Sequence, residues 1–293
     1  MTYNIEASKD DGWGGRDISK AISTIVNANP DVVGLQEDDK EWRDSGCYSP
    51  LTSAGYTRIA FGGNGDEHLD IFYKTDKFNL LSSGYNFYKK LAGGDLKDVP
   101  ANGADMSVDE AGDKEYVIFG DRKGRMFSYA VLEDKATGAV VLVVNTHLHY
   151  GDGTGGDTSD GGKYADDNRL RDYQARLLRA WLDSMAEQYP IQIVMGDMNA
   201  HPSGAGNLTL EEYTKDSGLK AARDTALLKG DLGGTLTSSS TYDTRDQWVF
   251  DHVFYRNATA VEYYVVNNKV DASNTRYPSD HLPVYSKFTC YAE

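Results

Sequence analysis

The chain is short of bases. Its 293 residues hold 30 Lys and Arg against 45 Asp and Glu, a formal charge of −15. A surface that tracks a nucleic-acid backbone is normally basic, so this balance argues against long DNA as a substrate and leaves room only for a local basic patch. The excess of acid suits a cation-binding mouth, and it equally suits plain solubility. Cysteine is scarce too. Cys47 and Cys290 are the only two, which excludes a disulfide framework, and their spacing fits no zinc pattern. They could form one bridge in an oxidising compartment or stay free. No apolar run approaches a membrane span, so no stable membrane insertion is expected. There is no secretory signal. Because the first strand starts with no lead-in, the expectation is a signal peptide trimmed ahead of it and an extracellular or periplasmic location. Linkers rich in Pro or Ser and internal repeats are missing, so residues 1–293 are read as a single domain and a monomer, within the size range of large sandwiches and barrels. Forty per cent apolar residues supply a large core.

What the chain does have is a set of apolar runs that end in polar groups. Gln192 to Pro202, QIVMGDMNAHP, delivers Asp197 and Asn199 to the end of a buried strand, where open α/β sheets carry their chemistry. Trp248 to Tyr255, WVFDHVFY, sets Asp251 inside an apolar run, and PSDHLPV sets Asp280 and His281 just ahead of another. Thr2 to Ile5 reads as a strand with Asn4 and Glu6 on one face. Ile18, Ala21, Ile22, Ile25 and Val26 recur at helical spacing, with Asp17 as a cap and Asn29-Pro30 as the stop. The next strand, DVVGLQ, runs into Glu37, giving a βαβ-like opening.

Further strands are expected at Tyr56 to Phe61, Asp70 to Lys74, Arg125 to Glu133 and Ala139 to Asn145, the last running into His147. Tyr85 to Lys123 has no clean period and reads as mostly surface loop. Gly151 to Gly162, with six glycines, reads as a surface insertion or a lid near His147. Arg169 to Gln188 is the best helix, with Leu170, Tyr173, Leu177, Leu178, Trp181 and Met185 as its stripe and Pro190 as its end. Residues 203–247 mix a short helix near Leu210 to Asp216 with polar loop. The pattern suggests two stacked mixed β-sheets flanked by helices. Gly62-Gly63-Asn64-Gly65 does not lie between a strand and a helix and is not read as a phosphate cradle.

The polar groups make a chemical set. Asn4, Glu37 and Asp280 are oxygen donors of the kind that Mg²⁺, Mn²⁺ or Ca²⁺ prefers. His147 and His281, charged beside an anion, can donate to non-bridging phosphate oxygens, and Asp251 can orient and charge His281. Asp197 can serve as a general base toward water, with Asn199 holding that water or a phosphate oxygen. Such a set fits metal-assisted attack of water on a phosphate ester. No Ser or Cys nucleophile with a paired base stands out, so a covalent intermediate is not expected.

These residues also carry a resemblance. TYN at Asn4, QED at Glu37, NTHL at His147, GDMN at Asp197 and Asn199, FDHVF at Asp251, and SDHLP at Asp280 and His281 occur in the order of motifs in the endonuclease/exonuclease/phosphatase superfamily. The chain resembles that family, the deoxyribonuclease-I-like fold, over nearly its whole length. The resemblance implies a four-layer αββα sandwich with its site at one edge of the two sheets. It implies Asn4 and Glu37 around the metal with Asp280 close by, Asp251 paired with His281, and Asp197 as base or water orienter. It further implies that Glu67 pairs with His147, with Asp70 as a rival, and that Arg125 contacts phosphate, with Arg122 as a rival. Glu6 matches a second metal-facing acid found in some members. The basic, tyrosine-bearing insertions of the abasic-site repair branch and the extra motifs of the inositol polyphosphate phosphatases are not found. The expected activity is therefore a metal-dependent phosphodiesterase or phosphatase acting on a small-molecule or lipid-headgroup phosphate ester. A secreted nuclease is the alternative. A non-catalytic binding protein on the same fold would need a lost catalytic position, and all are filled.

Overall fold

The computed structural model describes residues 1–6, 18–38, 46–61, 69–99, 125–151, 165–203, 205–237, 244–269 and 276–291. Among them the strands are β1 (Thr2–Asn4), β2 (Val32–Gln36), β3 (Tyr56–Ile59), β4 (Ile71–Lys74), β5 (Phe78–Phe87), β6 (Met126–Asp134) and β7 (Val140–His147). Then come β8 (Ile191–Asp197), β9 (Lys220–Ala221), β10 (Leu228–Lys229), β11 (Asp251–Arg256), β12 (Thr259–Val265) and β13 (Val284–Thr289). They make two mixed sheets, ordered β10-β12-β13-β1-β2-β4-β3 and β5-β6-β7-β8-β11-β9.

Period-two alternation decides how the layers stack. In β2, Val33 and Leu35 point outward to helix α1 (Ile18–Ala28), packing on its Ile18, Ile22 and Ile25. In β6 to β8, Phe127, Val131, Leu142, Val144 and Val194 point outward to helix α2 (Ala165–Ser184), meeting Leu170, Leu177, Leu178 and Trp181. The opposite faces meet each other. Ile71 and Val284 of one sheet pack on Ala130, Val143, Met195 and Val253 of the other. Helices outside and two sheets inside give the expected αββα sandwich. The stop of α1 is a left-handed residue, Asn29 (φ 47°), ahead of Pro30.

Four sequence readings need correction. The segment from Tyr85 is not loop at its start: β5 runs to Phe87 and a short helix, α3 (Tyr88–Ala92), follows. Among the described residues β5 bonds to one neighbour only and leaves Leu81 and its flanks exposed, so it shows no apolar alternation. The remainder of that segment, 100–124, and nearly all of the Gly-rich stretch, 152–164, lie outside the described residues. Residues 203–247 hold β9 and β10 besides a helix, and β12 had no counterpart in the sequence reading. Finally, α2 stops at Ser184, short of Pro190, where Met185 N–H splits between Trp181 O and Leu182 O (both 3.2 Å).

Candidate active site

Parallel pairing brings strand ends together at one edge. Asn4 is the last residue of β1 and pairs with Gln36, so Asn4 and Glu37 leave the first sheet side by side. In the second sheet β7 and β8 are also parallel, and His147 pairs with Asp197. Antiparallel β11 sets its first residue, Asp251, opposite Asp197. Asp251 thus opens its strand and does not lie inside one. Val249 N–H donates to His201 Nδ1 (3.0 Å) and Phe250 O accepts from Met198 N–H (2.8 Å), which folds residues 248–250 over the end of β8. Asp280 and His281 precede β13, and His281 bridges to Leu236.

The two sheets are tied beneath this edge by amides. Gln36 Nε2 donates to Asn145 Oδ1 (2.6 Å) and Thr2 Oγ1 (2.9 Å), while Asn145 Nδ2 donates to Leu35 O (2.8 Å). All three side chains are buried between the sheets. Gly34 is required there, because a Cβ would lie 2.7 Å from the Asn145 carboxamide.

Asn4 bridges the sheets at the edge itself. Its Nδ2 donates to Glu37 Oε1 (3.1 Å) and Asp197 Oδ2 (3.0 Å), and its Oδ1 accepts from Glu6 N–H (3.0 Å). Asp197 Oδ1 accepts from Asn199 N–H (2.8 Å). Its Oδ2 lies 3.3 Å from His147 Nε2 and 3.6 Å from His281 Nε2. His281 Nδ1 is hydrogen-bonded to Asp251 Oδ2 at 2.8 Å. Among the described residues six non-glycine residues have left-handed backbone, and Glu6 (φ 46°), Glu37 (φ 54°) and Asn199 (φ 47°) are three of them. Such residues cost about 1 kcal/mol each and persist where their surroundings impose them. Here they turn the chain where β1, β2 and β8 leave their sheets.

Electrostatics follow from burial and partners. Burial pushes Asp197 up, but His281, His147 and the donors from Asn199 and Asn4 outweigh it and hold the carboxylate below its ordinary range. Glu37 is likewise lowered: burial opposes, and His147, Asn4 and His281 prevail. Burial pulls the His281 ring down, yet Asp251 and Asp197 hold it charged well above its ordinary range. Asp251 itself is raised, chiefly by burial, with His281 pulling against that.

Other predicted residues fall out as follows. Asp280 N–H donates to Glu6 Oε2 (3.3 Å), so both acids flank Asn4, and Ser279 Oγ–H donates to Asn4 O (2.8 Å). Asn199 joins the site through its backbone. Its Nδ2 donates to Leu148 O (3.0 Å), which ties the exits of β7 and β8 and uses one of the two hydrogens of that amide. Arg125, half-buried, lies just ahead of β6 next to the end of β7 and accepts from Tyr88 N–H (3.2 Å) through its carbonyl. Glu67, Arg122 and the Gly62–Gly65 loop lie outside the described residues. Asp70, the rival partner for His147, instead accepts from Phe61 N–H (2.9 Å) and pairs with Arg58. Beside it Asp38 is fully buried, accepts from Tyr48 Oη–H, and is raised well above the carboxylate range by burial and by Asp70.

Sequence reasoning missed Arg171. It is fully buried on α2, donating through Nη1 to Asn199 O and through Nε to Thr209 Oγ1, each at 2.9 Å. A charged residue on a helix gives no sign of burial, so nothing in the sequence marked it. Tyr88, whose hydroxyl meets Thr146 Oγ1 at 2.6 Å beside His147, was missed with the helix that carries it.

Residues 1–281 match the family model described as the endonuclease/exonuclease/phosphatase family. The chain belongs to that family. A structure of a family protein from Bacteroides thetaiotaomicron is similar at TM-score 0.71 and 21% identity, covering 99% of this chain and 97% of that one. A mannosyl-6-phosphatase from Bacteroides thetaiotaomicron follows at TM-score 0.67 and 20% identity, covering 98% of each chain. D. rerio TDP2, complexed with single-strand DNA product, has TM-score 0.63 and 16% identity over 98% of this chain and 97% of that one. No curated protein matches the sequence. At these identities the neighbours establish the deoxyribonuclease-I-like sandwich, and the family groups nucleases with phosphatases.

Proposed function

We propose that this chain is a metal-dependent hydrolase of phosphate esters and that its substrate is a small-molecule or lipid-headgroup ester. The observation that carries this reading is the meeting of Asn4, Glu37, His147, Asp197, Asp251 and His281 at one edge, joined through Asp197 Oδ2. Asn4, Glu37 and Asp280, with Glu6 beside them, offer only oxygen ligands, a hard donor set. Glu37 stays anionic despite burial, as a ligand must. Asp197, Asp251 and His281 also bring three ligand atoms within 4.8 Å of one another. That trio suits an ion less well, because the 2.8 Å contact is a direct hydrogen bond to a ring held charged. When bound, Mg²⁺, Mn²⁺ or Ca²⁺ neutralises charge on the phosphoryl oxygens.

The chain supplies the remaining parts. His147 Nε2–H and His281 Nε2–H now face Asp197 Oδ2, and a phosphoryl oxygen placed between them would accept from both rings as charge builds on it. Asp251 keeps the His281 ring charged and oriented. Once the rings turn to the phosphate, Asp197 Oδ2 has a free lone pair and accepts the proton of the attacking water. Arg125 adds a cation next to His147, and Glu67 is assigned to His147 by resemblance. The acidic charge of −15 disfavours long nucleic acid. One feature favours the nuclease reading: Tyr150 is half exposed on the rim and lies over His149 (centroids 4.6 Å apart), a surface on which a base could stack.

The test is a substrate screen of purified protein with bis-nitrophenyl phosphate, sugar and inositol phosphates, sphingomyelin, RNA and plasmid DNA. Cleavage of a small or lipid ester should stop in EDTA and return with Mg²⁺ or Mn²⁺. Turnover that ignores EDTA would overturn metal dependence, and nicking of plasmid with no small-ester turnover would move the assignment to a nuclease.

A further inference from the structure

The two sheets have four outer edges, and three of them are guarded. Among the described residues β10 and β9 end their sheets with two residues each, and β3 ends the first sheet with four, one of them Arg58. Short strands and charged side chains keep an edge from pairing with another chain. β5 is built otherwise. It is ten residues long and, among the described residues, bonds to β6 alone. Its sequence, FNLLSSGYNF, holds neither a charge nor a proline, in a chain of which 26% is charged. Asn79 to Ser83 are exposed, Leu81 at 52%, and Tyr85 is exposed at 48%.

The strand also reads nearly the same from either end. Phe78 answers to Phe87, Asn79 to Asn86, Leu80 to Tyr85 and Ser82 to Ser83. Antiparallel pairing with its own copy sets like against like, provided that opposed residues point to the same face. Phe78 and Phe87 are nine positions apart, and in a regular strand an odd separation puts them on opposite faces. A bulge corrects this. Leu80 lies opposite Leu132 and Ser82 opposite Val131, so Leu81 is an extra residue and the alternation slips by one. Phe78 and Leu80 therefore share the inner face with Tyr85 and Phe87, which lie opposite Ser128 and Met126. Asn79 and Asn86, opposite Glu133 and Phe127, share the outer face. A bulge ordinarily turns an edge away from partners, but in this strand it brings the two halves onto matching faces.

We propose that β5 is a self-pairing edge whose partner is a second copy of this chain, bonded antiparallel across a two-fold axis that crosses the sheet between Ser82 and Ser83. The second sheets of the two copies then run on as one. On each side of the axis three rungs match: Phe78 with Phe87 of the second copy, Asn79 with Asn86, and Leu80 with Tyr85. Where the two bulges meet, Leu81 comes to Gly84 of the other copy, which has no side chain to oppose it. The palindrome selects this occupant, because a different chain has no need to match it. Charge does so too: two copies at −15 each meet with least repulsion through a stretch that carries none. The two-fold uses one patch on both copies, so association stops at a dimer, in place of the monomer expected from the sequence.

The test is sedimentation of the full chain over a range of concentrations, with exposed Ser83 as the probe, because the axis brings the Ser83 residues of both copies together. The unaltered chain should sediment at twice its mass at micromolar concentration. Ser83→Lys and Ser83→Glu each set like charges beside the axis and should raise the dissociation constant roughly tenfold or more, with circular dichroism retained. Mixing the two variants should restore the dimer, one copy of each. A chain that stays monomeric into the millimolar range would overturn the proposal. So would a dimer that tolerates both charges, or a Lys and Glu mixture that gains nothing, since the contact would then lie elsewhere. Hydrogen exchange gives a second reading on the unaltered chain: β5 amides should lose protection on dilution, and exchange that ignores concentration would count against the paired edge just as firmly.

Discussion

Two buried acid clusters at the same end of the sandwich are shifted in opposite directions. Asp197 is fully buried and lies below the ordinary carboxylate range; Asp38 is fully buried and lies well above it. Burial pushes both upward, so burial does not decide the outcome. Partners do. Asp197 faces two imidazoles, an Asn4 amide and a backbone N–H. Asp38 faces the Asp70 carboxyl, and Arg58, its nearest cation, is paired with Asp70. One cluster is built to favour a carboxylate, and the other to favour a neutral carboxyl beside Tyr48 and Asp70. The sharpest experiments are those that remove charge from one cluster and then from the other.

The largest effect is expected from Asp197→Asn. The substitution keeps the shape and the bond to Asn199 N–H but removes the base and the charge that draws both rings. Turnover should fall by about 10³-fold or more, with circular dichroism and cooperative melting retained. A variant within tenfold of wild type would show that Asp197 is a structural acid, like Asp38.

Asp251→Asn should come next, with a loss of about 10²- to 10⁴-fold, since the ring keeps its place but loses the carboxylate that charges and orients it. The pH profile separates this from mere disturbance. Asp197 and Glu37 are lowered, so the acid limb of the rate should lie below the ordinary carboxylate range. His281 is raised, so the alkaline limb should lie well above the ordinary histidine range. The same shift bears on stability. A ring whose folded pKa is raised contributes fully below its unfolded value, and the contribution is lost as pH rises through the folded value. In Asp251→Asn the alkaline limbs of rate and of Tm should both move to lower pH. A rate that falls with no movement of either limb would mean that Asp251 does not set the charge of His281.

How much of this was legible beforehand follows from the physics of each element. DVVGLQ and QIVMGD are apolar because both faces of their sheets are covered, and the stripe from Leu170 to Trp181 has one buried face, so these elements were readable. β5 lies at an edge with exposed flanks and left no such mark. Among the site residues, those at the ends of apolar runs were visible because a polar group there interrupts a pattern. The start of β11 was misplaced, because Val249 and Phe250 are apolar for packing over β8 and not for pairing. Arg171 and the Gln36–Asn145 tie were invisible, since partners 28 and 109 positions away satisfy a guanidinium or an amide as readily as water does. The contrast between Asp197 and Asp38 was equally hidden: each is an acid following an apolar run, and only the three-dimensional neighbours tell them apart.

The smallest effect, and the one of opposite sign, should come from Asp38→Asn. Folded Asp38 keeps its proton to higher pH than the unfolded chain does. Between the two pKa values the native state binds more protons, so wild-type stability falls as pH rises from the ordinary carboxylate range toward the folded value. Asparagine has the same shape and no proton to lose. Its oxygen can accept from Tyr48 Oη–H, and its amide carries no charge to set against Asp70. At pH 8 the variant should therefore melt a few degrees above wild type, with the gap closing toward pH 4. The melts belong in EDTA, so that an ion held at neighbouring Glu37 adds nothing to either Tm. A variant that instead melts several degrees lower at pH 8 would show that Asp38 is an anion on which Tyr48 and Arg58 depend, and the two clusters would then be alike after all.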